Sequence, residues 1–113
     1  MSYGKLDMVF RVIITEPARL DAEEIANYLE TQSPGTARDW LPGFLTCSYS
    51  LKDSPLRRAM IPEARDLELP YRPILYRSHR IIYRAFEDQM AVRIVRVYHQ
   101  SRKPLESADF DTE

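Results

Sequence analysis

The stretch that decides the fold is "RPILYRSHRIIYRAFEDQMAVRIVRVYHQSRKPL", residues 72–105. Its apolar residues recur with a period of two, the signature of a strand whose side chains alternate between faces. "PILYRSHR", "RIIYRAFE" and "MAVRIVRVYH" are therefore expected to be three strands, with the second turn at Glu87-Asp88-Gln89. Strands joined this tightly form an antiparallel meander. In the middle strand Arg80, Ile82, Arg84 and Phe86 share one parity, and His79, Ile81, Tyr83 and Ala85 the other. In the last, Met90, Val92, Ile94, Arg96 and Tyr98 oppose Ala91, Arg93, Val95, Val97 and His99. Both sets are mainly apolar, as a central strand requires. Arg80 and Arg84 then lie together on the face away from any covering helices.

Upstream, "MVFRVIIT" (8–15) reads as a strand with Met8, Phe10, Val12 and Ile14 on one parity, stopped by Pro17. "LDAEEIANYLETQ" reads as a helix with Asp21 as N-cap and Glu24 at the capping-box spacing. Ala22, Ile25, Ala26 and Leu29 make its apolar stripe. "SPGTARDWLPGFLTCSYSLKD" offers a second helix with Ala37, Leu41, Phe44, Leu45 and Ser48 on one side. Either it kinks at Pro42-Gly43, or it starts near Asp39 with Pro42 in its first turn; the late start is preferred, since a missing N–H costs nothing there. Residues 53–72, with Pro55, Pro62 and Pro70, should be mostly loop. The order is β-α-α-β-β-β: an α+β single domain over 1–113 with an antiparallel sheet and a helical hairpin on one face. Its core spans about 8–105, and an acidic tail, 106–113, follows.

With 113 residues, 44% hydrophobic and 29% charged, the chain has the composition of one soluble domain. One cysteine, Cys47, cannot form an internal disulfide, and no apolar run reaches membrane-spanning length. A cytoplasmic protein is expected, with no membrane partner. The net charge of −1 conceals an asymmetry. Residues 1–55 carry 5 basic and 8 acidic groups, residues 56–103 carry 11 and 5, and the last ten carry none and 4. Ten of the 11 basic groups are arginine, whose planar fork pairs with phosphate or carboxylate. They form either a solvated sheet face or a surface for a polyanion or acidic partner.

No metal or cofactor is expected: His79, His99 and Cys47 have no zinc-like spacing, and three glycines make no phosphate loop. Cys47 reads as a small packed hydrophobe rather than a nucleophile. The chemistry gathers where the last strand ends. Tyr98, His99 and Arg102 could donate a hydrogen bond, move a proton near neutral pH and stabilise phosphoryl charge. That set suffices for metal-free RNA cleavage. The structural alternative is that His99 closes the strand through a hydrogen bond to a neighbouring loop while Arg102 pairs with the acidic tail.

The ordered series from residue 72 onward resembles the C-terminal half of the RelE/ParE superfamily, the toxins of type II toxin–antitoxin modules. The shared pattern is an Arg before a short apolar strand, a Tyr-Arg-rich strand, and Val-x-Ile-x-x-Val ending in His with a basic residue soon after. "FRVIITEPARLDAEEIANYLE", with Tyr28 late in the helix, and Ala37 early in the second are similar to the family's first half; the resemblance covers about residues 8–105. It implies a growth-inhibiting toxin, of the kind linked to plasmid stabilisation, neutralised by a co-encoded antitoxin in a toxin–antitoxin hetero-oligomer. RelE-like members are ribosome-dependent mRNA endoribonucleases; ParE-like members inhibit DNA gyrase. The resemblance carries the catalytic histidine to His99 and the basic residue to Arg102, with Tyr98 beside them. Arg65, Arg72, Arg77, Arg80 and Arg84 become target-binding candidates. RelE-type enzymes use lysines before the meander, where this chain has Arg57, Arg58 and Arg65, and His79 stands where the family often has an aromatic residue. The ParE-like reading is therefore favoured. A domain that only binds an antitoxin is the third possibility. The antitoxin is expected to place an acidic segment against the arginine-bearing sheet.

Overall fold

The period-two run folds as three antiparallel strands: β2 (Arg72–Tyr76), β3 (His79–Phe86) and β4 (Ala91–His99). This computed structural model describes residues 9–57, 59, 70–101 and 107–110. Arg77 opens the two-residue turn between β2 and β3 at φ 53°, the left-handed sign that a tight hairpin needs to match the strands' twist. A 3₁₀ turn at Glu87–Gln89 closes the second hairpin where a turn was expected. β1 (Arg11–Ile14) joins on the far side of β4 and runs parallel to it, giving a mixed sheet in the order β1-β4-β3-β2. A parallel neighbour needs a long crossover, and the two helices supply it.

The helices depart from the sequence reading at both starts. α1 runs Glu16–Gln32, not from Asp21: Thr15 is its N-cap and Pro17 sits in the first turn, where no N–H is needed. Proline therefore begins this helix rather than merely ending the strand. α2 runs Pro34–Tyr49 with Pro42 inside it, so the late start at Asp39 is wrong. Pro34 provides the N-terminal proline, and the interior break at Pro42 is tolerated because the residues around it pack. Trp40 and Phe44 stack with ring centroids 5.6 Å apart, both buried. The Pro42 carbonyl accepts from the Thr46 hydroxyl (3.1 Å). The buried stripe is Ala37, Trp40, Phe44 and Ser48, while Leu45 is 42% exposed. Ala37, Phe44 and Ser48 are buried as expected and Leu41 packs half-buried against the core, while Trp40 takes the buried place expected of Leu45.

Between helices and sheet lies the main core: Phe10, Ala18, Ala22, Trp40, Phe44, Ile74, Ile81, Tyr83, Val92, Ile94 and Val97, with Val12 and Ile14 packed against it. Met8 of the expected first strand lies outside the described residues. A fully buried aliphatic side chain such as Ile81 or Ile94 contributes about 1.5–3 kcal/mol. A smaller cluster occupies the opposite face: Tyr71, Ile82, Val95, Tyr98 and Phe110. Its Phe110 comes from a C-terminal 3₁₀ turn, Ser107–Phe110, and stacks on Tyr71 at 4.2 Å.

Strict alternation along β4 fails at one point. Tyr83 pairs with Ile94 but Ile82 pairs with Arg96, so Val95 is an extra residue in a β-bulge. Beyond it the parity inverts. Val97 joins the helix-covered core with Val92 and Ile94, while Arg96 and Tyr98 move to the open face with Arg93. Beyond Ile94, β1 no longer covers the edge of β4, and α1 takes over. Thr15 donates its N–H (3.1 Å) and hydroxyl (2.7 Å) to the Ile94 carbonyl. Asp21 accepts the Val97 N–H (2.9 Å) and grips Arg96 at Nε (2.8 Å) and Nη2 (3.0 Å). Asp21 is thus a strand clamp in mid-helix.

Candidate functional site

The bulge decides what the end of β4 presents. It sets His99 directly across from His79, the first residue of β3, on the helix-covered side of the sheet. The two imidazole rings meet edge to face with centroids 5.2 Å apart. His79 in turn abuts the buried Trp40 ring at 5.4 Å. Around them opens a cleft of about 450 Å³, lined by Glu24, Ile25, Tyr28 and Leu29 of α1, Thr36 and Trp40 of α2, Arg77, Ser78 and His79 of the β2–β3 hairpin, and His99. Tyr28 stands at its mouth, 63% exposed.

The two histidines have different states. His79 is 8% exposed, and its Nδ1 is buried without a hydrogen-bond partner among the described residues. Burial pushes its pKa below the usual histidine range, and the neighbouring His99 pushes in the same direction. His79 is therefore neutral at pH 7. His99 is exposed, and its Nδ1 accepts the Ser101 backbone N–H (3.1 Å) with the Ser101 hydroxyl at 2.7 Å. A backbone N–H can only donate, so Nδ1 carries a lone pair and the neutral ring bears its proton on Nε2. The side chain closes the turn that follows the strand, which continues through a Gln100 N–H bond to the Ser78 carbonyl (2.9 Å).

The residues singled out from sequence do not all meet here. His99 and Arg77 line the cleft, with Arg77 held 5.3 Å from the Tyr76 ring centroid. Tyr98 turns to the other face, buried among Ile82, Val95 and Phe110, with its hydroxyl 3.3 Å from the Asp109 carboxylate. Adjacent positions on a strand cannot converge on one reacting group, so Tyr98 and His99 do not share a site. Arg80 and Arg84 lie on the open face, paired with Tyr98 and Arg93 respectively. Arg72 opens β2 opposite Tyr83 on the helix side. Arg65, Arg58 and Arg102 lie outside the described residues.

Sequence reasoning passed over Trp40, Glu24 and His79 as site residues. A signal existed for His79: it begins a strand antiparallel to the one His99 ends. Among the described residues no group of three or more His, Cys, Asp or Glu side chains could hold a metal ion, and no helix is long and apolar enough to cross a membrane.

Comparison with known proteins gives this geometry a family. The model of the ParE toxin of the type II toxin–antitoxin system, parDE, matches residues 12–104. The chain belongs to that family. It is thereby a RelE/ParE-superfamily toxin of a type II toxin–antitoxin system. In fold, this ParE-family chain is similar to a chain of the RelBE2 toxin–antitoxin complex of Mycobacterium tuberculosis. That match has 21% identity and a TM-score of 0.59, covering 83% of this chain and 94% of the other. It is also similar to a chain of the chromosomal ParDE toxin–antitoxin system of P. aeruginosa, at 15% identity and TM-score 0.64, covering 81% and 97%. No curated protein sequence matches it.

Proposed function

We propose that this toxin acts by contact, as a ParE-like inhibitor of DNA gyrase, and is neutralised by a cognate antitoxin with which it forms a hetero-oligomer. The observation that carries the reading is the state of His99. A general base needs a free lone pair aimed at the proton it takes. The lone pair of His99 is occupied by Ser101, and the tyrosine that would assist it is turned away. The match to the ParE toxin model over most of the chain supports the same reading. Both structural neighbours come from toxin–antitoxin systems, which supports an antitoxin partner here.

The RelE-like alternative, ribosome-dependent mRNA cleavage, draws on a different observation: two imidazoles meet in a cleft that also carries Glu24, Tyr28 and Arg77. One experiment separates the two. The chain is expressed in cells while mRNA cuts are mapped by primer extension, and the purified protein is added to a gyrase supercoiling assay. The expected result is lost supercoiling, no new mRNA ends, and a His99→Ala variant that stays toxic. Codon-phased mRNA cuts that disappear in His99→Ala would overturn the gyrase reading; loss of one general acid or base costs about 10²–10⁴ in rate.

A further inference from the structure

We infer that Arg84 and Arg93 form an anion subsite on the open face of the sheet, built to take the carboxylates of an acidic, aromatic-bearing peptide segment of a partner protein. The two arginines are directly opposed in the β3–β4 register. Like charges in that position destabilise a sheet unless something neutralises them. Among the described residues neither has a carboxylate partner. Arg84 lies with its guanidinium 4.6 Å from the Phe86 ring centroid, and the Arg93 Nε is buried with no hydrogen-bond partner.

Arg96, on the same face, shows what satisfaction looks like. It grips the Asp21 carboxylate with two nitrogens and donates its third, Nη1, to the Asp109 carbonyl (2.7 Å). The Arg84–Arg93 pair has the forks for a similar bidentate acceptor and lacks the acceptor.

The face itself indicates a peptide rather than a nucleic acid. It already holds one acidic, aromatic-bearing segment, the chain's own Ser107–Phe110 turn. Phe110 packs against Tyr71, Ile82, Val95 and Tyr98, while Asp109 offers its carboxylate to Tyr98 and its carbonyl to Arg96. The neighbours of the empty pair repeat that mixture: Ile13 flanks Arg93 from β1, and Phe86 lies beneath Arg84. A segment alternating carboxylates with apolar side chains would continue along the strip. That the natural bearer is the antitoxin rests on the function proposed above; the subsite itself does not.

The test uses the full chain and a fluorescent synthetic peptide, Asp-Phe-Asp-Leu-Glu, read by anisotropy at low salt. Its amide counterpart, Asn-Phe-Asn-Leu-Gln, and a labelled ten-nucleotide oligouridylate serve as the other probes. The acidic peptide should bind, the amide peptide should not, and an Arg84→Gln/Arg93→Gln double variant should lose affinity by about tenfold or more, or about 1.4 kcal/mol. The double variant should fold as stably as the parent or better, since it removes like-charge repulsion, and a thermal melt checks this. No binding of the acidic peptide by the parent chain would overturn the subsite. So would unchanged peptide affinity in the double variant, or a loss confined to the oligouridylate. None of these readouts involves gyrase or mRNA, so failure here leaves the proposed target standing, and failure there leaves the subsite standing.

Discussion

Replacing Asp21 by alanine should be among the most damaging single changes that remove no core side chain. The carboxylate accepts three donors at once, Arg96 Nε, Arg96 Nη2 and the Val97 N–H, at 2.8, 3.0 and 2.9 Å. Its side chain is 16% exposed and that of Arg96 21%. The bond from Asp21 holds the Arg96 pKa above its ordinary value, against the opposing effect of burial. Breaking a buried pair from one side costs about 3–5 kcal/mol, because the other charge is stranded. Partial exposure and the remaining bond to the Asp109 carbonyl soften this, so Asp21→Ala should cost about 2–4 kcal/mol. Asp21→Asn keeps one acceptor for the Val97 N–H and should cost about half as much. A control lies on the same helix, where Arg19 pairs with Glu16 and Glu23 in the open. Glu23→Ala there should leave stability nearly unchanged, because an exposed pair is screened by water. Urea titrations report each value as a shift in midpoint at constant slope. An Asp21→Ala variant as stable as Glu23→Ala would refute the idea that this clamp fastens α1 to the uncovered edge of β4.

Gly43→Ala should destabilise although it improves helix propensity by about 1 kcal/mol. The new Cβ would stand 2.0 Å from the Tyr76 hydroxyl oxygen and 2.8 Å from its Cζ, displacing the bond from that hydroxyl to the Trp40 carbonyl (2.9 Å). A net loss of about 1–2 kcal/mol is expected in thermal melts, and a gain would contradict it. Tyr83→Phe removes a buried bond to the Pro55 carbonyl (2.5 Å) and should cost about 1–2 kcal/mol by urea titration; a neutral result would mean that water replaces it. His79 gives a pH dependence. Its pKa is lowered in the folded state by burial, then by His99, so its contribution is present above the unfolded value of about 6.5 and is lost as pH falls towards the folded one. Melting temperatures should therefore drop more steeply between pH 7 and 5 in the parent than in His79→Phe; parallel curves would show that another group carries the acid sensitivity.

The sheet was readable because period-two hydrophobicity is a direct image of strand geometry, and "RIIYRAFE" shows it without interruption. The helix starts were not, and the reason is specific. Two residue patterns competed at each one. In "TEPARLDAEE" both Thr15 before Pro17 and the Asp21–Glu24 pair carry start signals, and only the uncovered edge of β4 decides between them. Asp21 is needed by Val97 and Arg96, residues far off in sequence, so it could not also be a cap. At Pro42 the local rule predicts a break, and the packing of Trp40 and Phe44 overrides it.

The candidate site turned on one residue that no local signal marks. Counting back from the hairpin at Glu87–Gln89, Phe86 pairs with Ala91, Arg84 with Arg93 and Tyr83 with Ile94. An unbroken ladder would carry on to set His99 against Ser78 and point it, with Ile94 still facing the helices, to the open side. Val95 adds one residue to β4, and every partner beyond it moves by one. His99 thereby comes opposite His79, whose other neighbour is the Trp40 ring, and Tyr98 goes to the face where Asp109 meets it. A valine among valines and isoleucines gives no sign that it is the extra one. Alternation alone puts Tyr98 and His99 on opposite faces; the bulge decides which face each takes, and these two looked from sequence most like a catalytic unit. The cleft placement of His99 thus depends on the register the bulge sets, and deleting Val95 tests it: the ladder would close with Ile82 still opposite Arg96 and His79 still opposite His99, so His99 should stay in the cleft with its bond to Ser101, and a His99 moved to the open face would refute the register.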